Sequence, residues 1–510
     1  MRVLNVLRNS IYALLSFLLI SLLGVVVRKF FTVYLTVELL GLEGLFSSII
    51  AMLSLAELGI SSIISYGLYR ELANHNEDEI NILMNIYKKI YSYIGTFVLV
   101  IGVIIFFLLP YIIIDTELPW GYVQFAYCIQ MGTVLSSYFL AYKRVLLIAD
   151  QKDYICIKVD TICNGLNNII RLFAIIQFNS YILYSASSLI FNIIANLVIA
   201  YHIKQKYSFL NEVKVDIEEI KKRNFFRDIK NLMIQKVCLF VYGSSSAIML
   251  SGLAGLTVTG LFANYQLIIG GIFQIMYKAL QGIIPSVGNM LYEGDDNKTL
   301  KVFWTLDFFY LLLAGYMAMV ISVFIQPFMK LFFGEVFLLS ETMVFLWSLW
   351  VFSMIQFENL NNFRNVVGEF GKDRSWIIMT AVVKLLVGIP AIYFFGASGL
   401  VLSCLLSWYC IGGGRLKIVF GYVIKGQSKL KYLIKHFYWS LVQMLMIACI
   451  YVVNDKAKYV NDYWEIVGSL LTATIMMTVL DIITFYYTKE FKWLLSYFNS
   501  AINIIVAKVR

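Results

Sequence analysis

A few ionisable and amide side chains interrupt long apolar runs in this 510-residue chain, and their spacing is where chemistry could be done. Arg28 and Lys29 fall late in the apolar run from Ser10 to Leu35, and Glu57 is the one carboxylate in the run from Leu45 to Leu68. Asp160, Asn164, Asn167, Asn168 and Arg171 recur at steps of three and four, which puts them on one face of a helix. Ser21, Gly24, Arg28 and Thr32 share a face of an earlier helix, as Thr380, Lys384 and Gly388 do of a later one. A charge in a bilayer core is costly, so such residues mostly face protein or water and mark a path for cargo. The guanidinium fork suits phosphate, so Arg28, Arg171 and Lys384, with Asn164 and Asn168, are candidate binders of an anionic substrate. Glu57 is the candidate for ion coupling, because burial of a carboxylate favours its protonated form.

Each of these has a structural alternative. Arg28 and Lys29 can end the first span and snorkel to the outer interface. Arg171 can pair with Asp160 or Glu57, and Glu57 can hold a fixed ion pair with a neighbouring arginine. For Lys384 the two readings stand level.

The elements that must position these residues are membrane spans. The chain is 60% hydrophobic and 14% charged, with a mean hydropathy of +0.78, whereas an ordinary soluble domain carries about 25% charge. Apolar runs long enough to cross a bilayer recur from end to end. They predict about fourteen helices, near 10–35, 45–67, 92–114, 122–142, 157–177, 181–201, 233–252, 257–278, 303–327, 338–357, 376–395, 397–414, 436–454 and 464–487. With the N-terminus in the cytoplasm, 34 of the 41 Lys and Arg residues fall in alternate, inside segments, as the positive-inside rule requires. The net charge of +10 therefore reports topology and excludes a nucleic-acid-binding face. The N-terminal apolar run is too long for a signal peptide and lacks a small-residue cleavage site, so it is expected to remain as the first span. Seven cysteines lie mostly in apolar runs without a CxxC pair, and His75, His202 and His436 are placed in cytoplasmic loops, so neither set suggests a metal. No GxxxxGK[ST] loop is present to make ATP the direct energy source.

The longest polar segment, His202 to Lys236, suggests a hinge between two six-helix lobes. The expected division is 1–201, a basic linker 202–232, 233–414, a second linker 415–435, and a last helix pair with its tail in 436–510. Ile170-Arg171-Leu172 in the fifth span echoes Val383-Lys384-Leu385 in the eleventh, and paired lobes with a midplane site are a usual build of secondary transporters.

The sequence resembles the Wzx-type (RfbX-like) polysaccharide flippases of the multidrug/oligosaccharidyl-lipid/polysaccharide (MOP) exporter superfamily. The resemblance spans essentially the whole chain. It is carried by Arg28, the Gly41-Leu-Glu-Gly44-Leu elbow, Glu57-Leu-Gly59, Gly67-Leu-Tyr-Arg70, Gly260-Leu-Phe-Ala-Asn-Tyr265, and Glu358 to Gly371-Lys-Asp373. It departs from the family pattern at Ser244-Ser245-Ser246, where an acidic residue is common, so no ion-coupling role carries over to that position. The resemblance implies an all-α membrane protein of two six-helix lobes around a V-shaped cavity, with two extra C-terminal helices. It implies a flippase, not an enzyme, that moves an undecaprenyl-diphosphate-linked oligosaccharide to the outer leaflet without a cofactor, in a bacterial cytoplasmic membrane with both termini inside. Membrane lipids, a polysaccharide polymerase and a chain-length regulator are the implied partners. A lipid II flippase or a drug or ion antiporter of the same fold is the alternative. A membrane polysaccharide polymerase fits less well, because the outside loops are short.

The topology makes a direct prediction. In a cysteine-free background, an impermeant thiol reagent applied to intact cells should miss a cysteine placed at Glu218 and reach one placed at Asp115. Labelling at position 218 would contradict the fourteen-span arrangement.

Overall fold

A hydrocarbon solvent offers no partner for backbone N–H and C=O groups, so these apolar runs are driven into helices, which satisfy both internally. The structure, a computed structural model, describes residues 2–54, 68, 71, 72, 74, 76–114, 116–211, 230–280, 283, 287, 288, 290, 291, 295–367, 372–453, 462–497 and 499. Among them the regular structure is entirely helical. It divides into two compact units, Met1–Ala263 and Asn264–Arg510.

In the first unit the helices are α1 (Arg2–Tyr34), α2 (Val37–Leu53), α3 (Glu77–Ile112), α4 (Trp120–Leu140), the short α5 (Arg144–Ala149), α6 (Tyr154–Phe178), α7 (Tyr181–Lys206) and α8 (Lys230–Leu253). Helix α9 (Gly255–Leu280) begins in this unit and continues into the second. The second unit follows with α10 (Asp296–Phe333), α11 (Glu341–Gln356), α12 (Glu358–Val367), α13 (Arg374–Phe395), α14 (Ala397–Tyr422), α15 (Lys429–Val453) and α16 (Tyr463–Phe485). Eleven stretches of described helix are long and apolar enough to cross a membrane. Helices α4 and α8 lie at two of the other expected places, and α2 starts earlier than the third, 45–67, so that the expected polar elbow at Glu38–Gly44 is helix.

The helices overrun the spans read from hydropathy. Helix α10 has 38 residues, about 57 Å at 1.5 Å per residue, against a hydrocarbon core of about 30 Å. Its polar start is a helix because Asp295 caps it, accepting from the backbone N–H groups of Asn297 and Lys298. Asn76 caps α3 likewise through Glu79, with Glu77, Asp78 and Glu79 in the first turn. Much of 68–91, 278–302 and 358–375, expected as loops, is therefore helix.

Two tight turns build matching hairpins. Asn179, with φ of 47°, joins α6 to α7, and Gly396, with φ of 56°, joins α13 to α14. Arg171 and Lys384 lie on the first helix of each hairpin, so the sequence echo corresponds to a repeated structural place.

A close backbone contact in the first unit joins two of the motifs noted in the sequence. A Cβ on Gly41 of α2 would lie 1.9 Å from the Leu256 carbonyl oxygen, and one on Gly260 of α9 would lie 2.3 Å from the Val37 carbonyl oxygen. Only glycine admits that crossing. The start of α2 is fixed from its other side, where Glu38 accepts from the Thr116 hydroxyl at 2.6 Å and from the Glu117 N–H at 2.9 Å. Alanine at Gly41 should therefore destabilise the protein by about 1–3 kcal/mol or more through overpacking. Alanine at Gly44, whose Cβ would meet Ala263 at an ordinary 3.5 Å, should be nearly neutral. Melting of the two variants in detergent checks this, and equal melting temperatures would contradict the crossing.

Candidate functional site

Arg28 sits about seven turns into α1 beside Lys29, and the helix runs on through apolar residues to Tyr34. Its Nη1 is 3.3 Å from Glu43 Oε2, with side-chain exposures of 14% and 16%. Glu43 follows Gly41 by two residues, so the glycine crossing sets the position of this carboxylate. Tyr184 of α7 donates its hydroxyl to Glu43 Oε1 at 2.7 Å. The Arg171 guanidinium of α6 lies over the Tyr184 ring, 4.4 Å from Cζ to centroid, and donates from Nε (3.0 Å) and Nη2 (2.5 Å) to Ser188 Oγ. Phe31 packs edge-on to Tyr184 at 5.3 Å and lies 5.9 Å from Arg28 Cζ.

Four helices of one unit thus bring two guanidiniums and the Glu43 carboxylate around a tyrosine hub. Nη1 of Arg171 has no acceptor among the described residues. Such a group can accept an anion bidentately.

The remaining candidates are spread out. Asp160 does not reach Arg171. It takes a bidentate pair from Arg144, at 2.7 and 2.9 Å, and Arg144 Nε donates to Asn196 Oδ1 at 2.9 Å. Asn167 is buried and accepts from the Ser187 hydroxyl at 2.8 Å, so part of the polar face of α6 is spent on packing against α7. Asn168 is buried and Asn164 exposed. Lys384 belongs to the second unit, where it is 1% exposed on α13 near Cys404 of α14. Glu57 lies outside the described residues.

The sequence reading missed Glu43 and Tyr184. Glu43 read as part of a polar turn, and a tyrosine among 34 has no distinguishing signal. The arginine–tyrosine stack needed the pairing of α6 with α7, which only the tight turn at Asn179 announces. One histidine is corrected. His436 is not in a loop but buried in α15, with Nδ1 3.5 Å from Asp307 Oδ2 of α10. The helix starts earlier than its apolar run, at Lys429, because its first turns are covered by aromatic rings from α10. The Glu358–Asp373 motif is likewise structural in part: Arg364 and Asp373, exposed by 2% and 1%, form an ion pair at 2.8 Å.

This arrangement of helices is the fold of the exporters of the MOP superfamily. A lipid II flippase MurJ in an inward closed conformation is similar with a TM-score of 0.64 at 12% identity, over 94% of this chain and 99% of that one. An inward-facing multidrug resistance MATE family transporter of the MOP superfamily is similar with a TM-score of 0.62 at 14% identity, over 80% of this chain and 96% of that one. No protein-family model and no curated protein sequence matches the chain.

Tyr184→Phe keeps both ring contacts and loses only the hydroxyl donor to Glu43. A hydrogen bond to a charged group contributes about 1.5–3 kcal/mol, so this variant should melt measurably lower than the parent. In an Arg28→Ala background the same change should cost more, because it then takes from Glu43 a second of its partners. Additive losses in that double-mutant cycle would contradict the linked cluster.

Proposed function

We propose that this chain is a Wzx-type flippase, which carries undecaprenyl-diphosphate-linked oligosaccharide repeat units from the cytoplasmic leaflet to the outer leaflet of a bacterial membrane. The observation that supports it is the Arg28–Glu43–Tyr184–Arg171 cluster, which brings two guanidiniums together among apolar helices, with Nη1 of Arg171 open among the described residues. A diphosphate competes with Glu43 for Arg28 and takes the open Nη1 of Arg171. Glu43 meanwhile keeps the Tyr184 hydroxyl, so it is not left bare when its cation turns to the cargo. Asn164, exposed on the same helix as Arg171, is offered to the headgroup as a further hydrogen-bonding contact. Lys384 and Asn168 are buried in this conformation and belong to the proposal only for a conformation that uncovers them.

The extent of the fold likeness supports a lipid-linked cargo. The share of this chain left outside the MurJ likeness, 6%, is smaller than the stretch from Lys429 to the end, so that likeness takes in at least part of α15 and α16. A lipid II flippase is the second reading, favoured by the same likeness. The two guanidiniums of the cluster disfavour cationic drugs as cargo.

Cations stabilise the cargo from either side and cannot give transport a direction. The membrane potential can. Moving one charge through 100 mV is worth about 2.3 kcal/mol, so a diphosphate with about two charges gains roughly 4–5 kcal/mol on leaving a negative interior. Headgroup translocation in proteoliposomes, with the potential set by potassium and valinomycin at equal pH, should follow the potential. Arg28→Ala should abolish it with the protein still folded in the membrane, and Arg28→Lys should restore it only in part, because an ammonium cannot make the fork contact. A rate and final distribution that ignore the potential and follow only a pH gradient would contradict this reading and return the coupling role to Glu57.

A further inference from the structure

Beyond the arginine cluster, the second unit buries carboxylates that the flippase reading does not use. Asp307 of α10 has its own partners: Oδ1 accepts from Asn359 at 3.1 Å and from the Tyr432 hydroxyl at 3.0 Å, and His436 faces Oδ2. Asp481, four residues before the end of α16 and 4% exposed, is in a different position. Its one hydrogen bond comes from the Gln443 amide of α15, Nε2 to Oδ1 at 2.6 Å. No lysine, arginine or histidine pairs with it among the described residues.

Two atoms in this contact are unsatisfied. Asp481 Oδ2 and Gln443 Oε1 are both buried without a hydrogen-bond partner, and Gln443 is completely buried. If Asp481 is ionised, both orphan atoms are acceptors, and a bare carboxylate lies in an apolar helix interface. One added proton changes the count. An O–H on Oδ2 is the donor that Oε1 lacks, and the acid and the amide then close a ring of two hydrogen bonds. Gly315 of α10 leaves the room for this, since a Cβ there would lie 2.1 Å from Gln443 Oε1.

We propose that Asp481 is a proton-binding site, occupied at neutral pH, in which the neutral carboxylic acid and the Gln443 amide clasp α16 to α15 against Gly315 of α10. The groups facing it are few. From α10 the Tyr316 hydroxyl bonds Thr478 at 2.7 Å, one turn before Asp481. From α15 there is Gln443 itself. The nearest charged groups along these helices, Asp307 and His436, lie two turns away, about 10 Å. By position on the helices, Phe308, Trp439 and Phe485 pack between the two sites, with Phe308 5.3 Å from Trp439 and 5.2 Å from Phe485. Beyond them Lys435 and Glu490 pair with each other at 2.5 Å. Loss of the proton removes one hydrogen bond of the clasp and leaves a charge that only an amide N–H meets, so it loosens α16. The inference needs no assignment of cargo and stands apart from the arginine cluster.

The test is infrared spectroscopy of the full chain in nanodiscs, with ¹³C-labelled aspartate, across a pH titration. A protonated-carboxyl C=O band from aspartate should be present at neutral pH and disappear as the pH is raised. The part due to Asp481 should be missing in Asp481→Asn, in which the amide copies the neutral acid; any part due to Asp307 remains. The melting temperature of the parent should fall on alkalinisation, and that fall should be lost or reduced in Asp481→Asn. An aspartate band identical in the parent and Asp481→Asn, or absent from the parent at neutral pH, would overturn the proposal. Should Asp481→Asn fail to fold, Gln443→Met keeps the acid and removes its partner. The band should then move to the frequency of a carbonyl without a hydrogen bond, and an unmoved band would overturn the proposal equally.

Discussion

The first unit depends on a backbone crossing that only glycine permits. At Gly41 and Gly260 two helices touch through main-chain atoms, with no side chain between them. Close approach of this kind is how helices associate where the solvent is itself apolar and gives no hydrophobic drive. Its consequence is local and chemical. Gly41 stands two residues before Glu43, so the contact fixes the turn of α2 that carries the carboxylate bonded to both Arg28 and Tyr184.

From that carboxylate outward, each member of the cluster is held by the next. Glu43 takes Arg28 and the Tyr184 hydroxyl, and the Tyr184 ring carries Arg171 on its face while Phe31 closes its edge. A buried ion pair alone is a poor source of stability, because desolvation offsets most of its attraction. Here the Arg171 guanidinium, which meets a hydroxyl and a ring and no carboxylate among the described residues, makes better sense as function than as stability.

Much of this was legible in the sequence. Apolar length located most of the spans, since the bilayer dictates it. The glycine motifs at 41–44 and 260 and the cation at Arg28 stood out as residues costly or unusual in such a setting. Partners were less legible, because pairing follows helix neighbours and no sequence spacing records them. Asp160, at helical spacing from Arg171, belongs to Arg144, which the chain brings over from a separate short helix. Asp307 and Asp481 are single charges inside strongly apolar windows, and hydropathy averages them away. His436 lies so near the polar end of its helix that composition alone assigns it to a loop.

The account turns on whether the two guanidiniums receive a diphosphate. Purified protein in detergent can be titrated with undecaprenyl diphosphate and with undecaprenol, which shares the chain and lacks the charge. The account predicts tighter binding of the diphosphate, weakened by added salt, with about a tenfold loss of that preference, roughly 1.4 kcal/mol, in Arg28→Ala and its disappearance in Arg28→Ala/Arg171→Ala. A double variant that still folds and keeps the full preference for the diphosphate would contradict it.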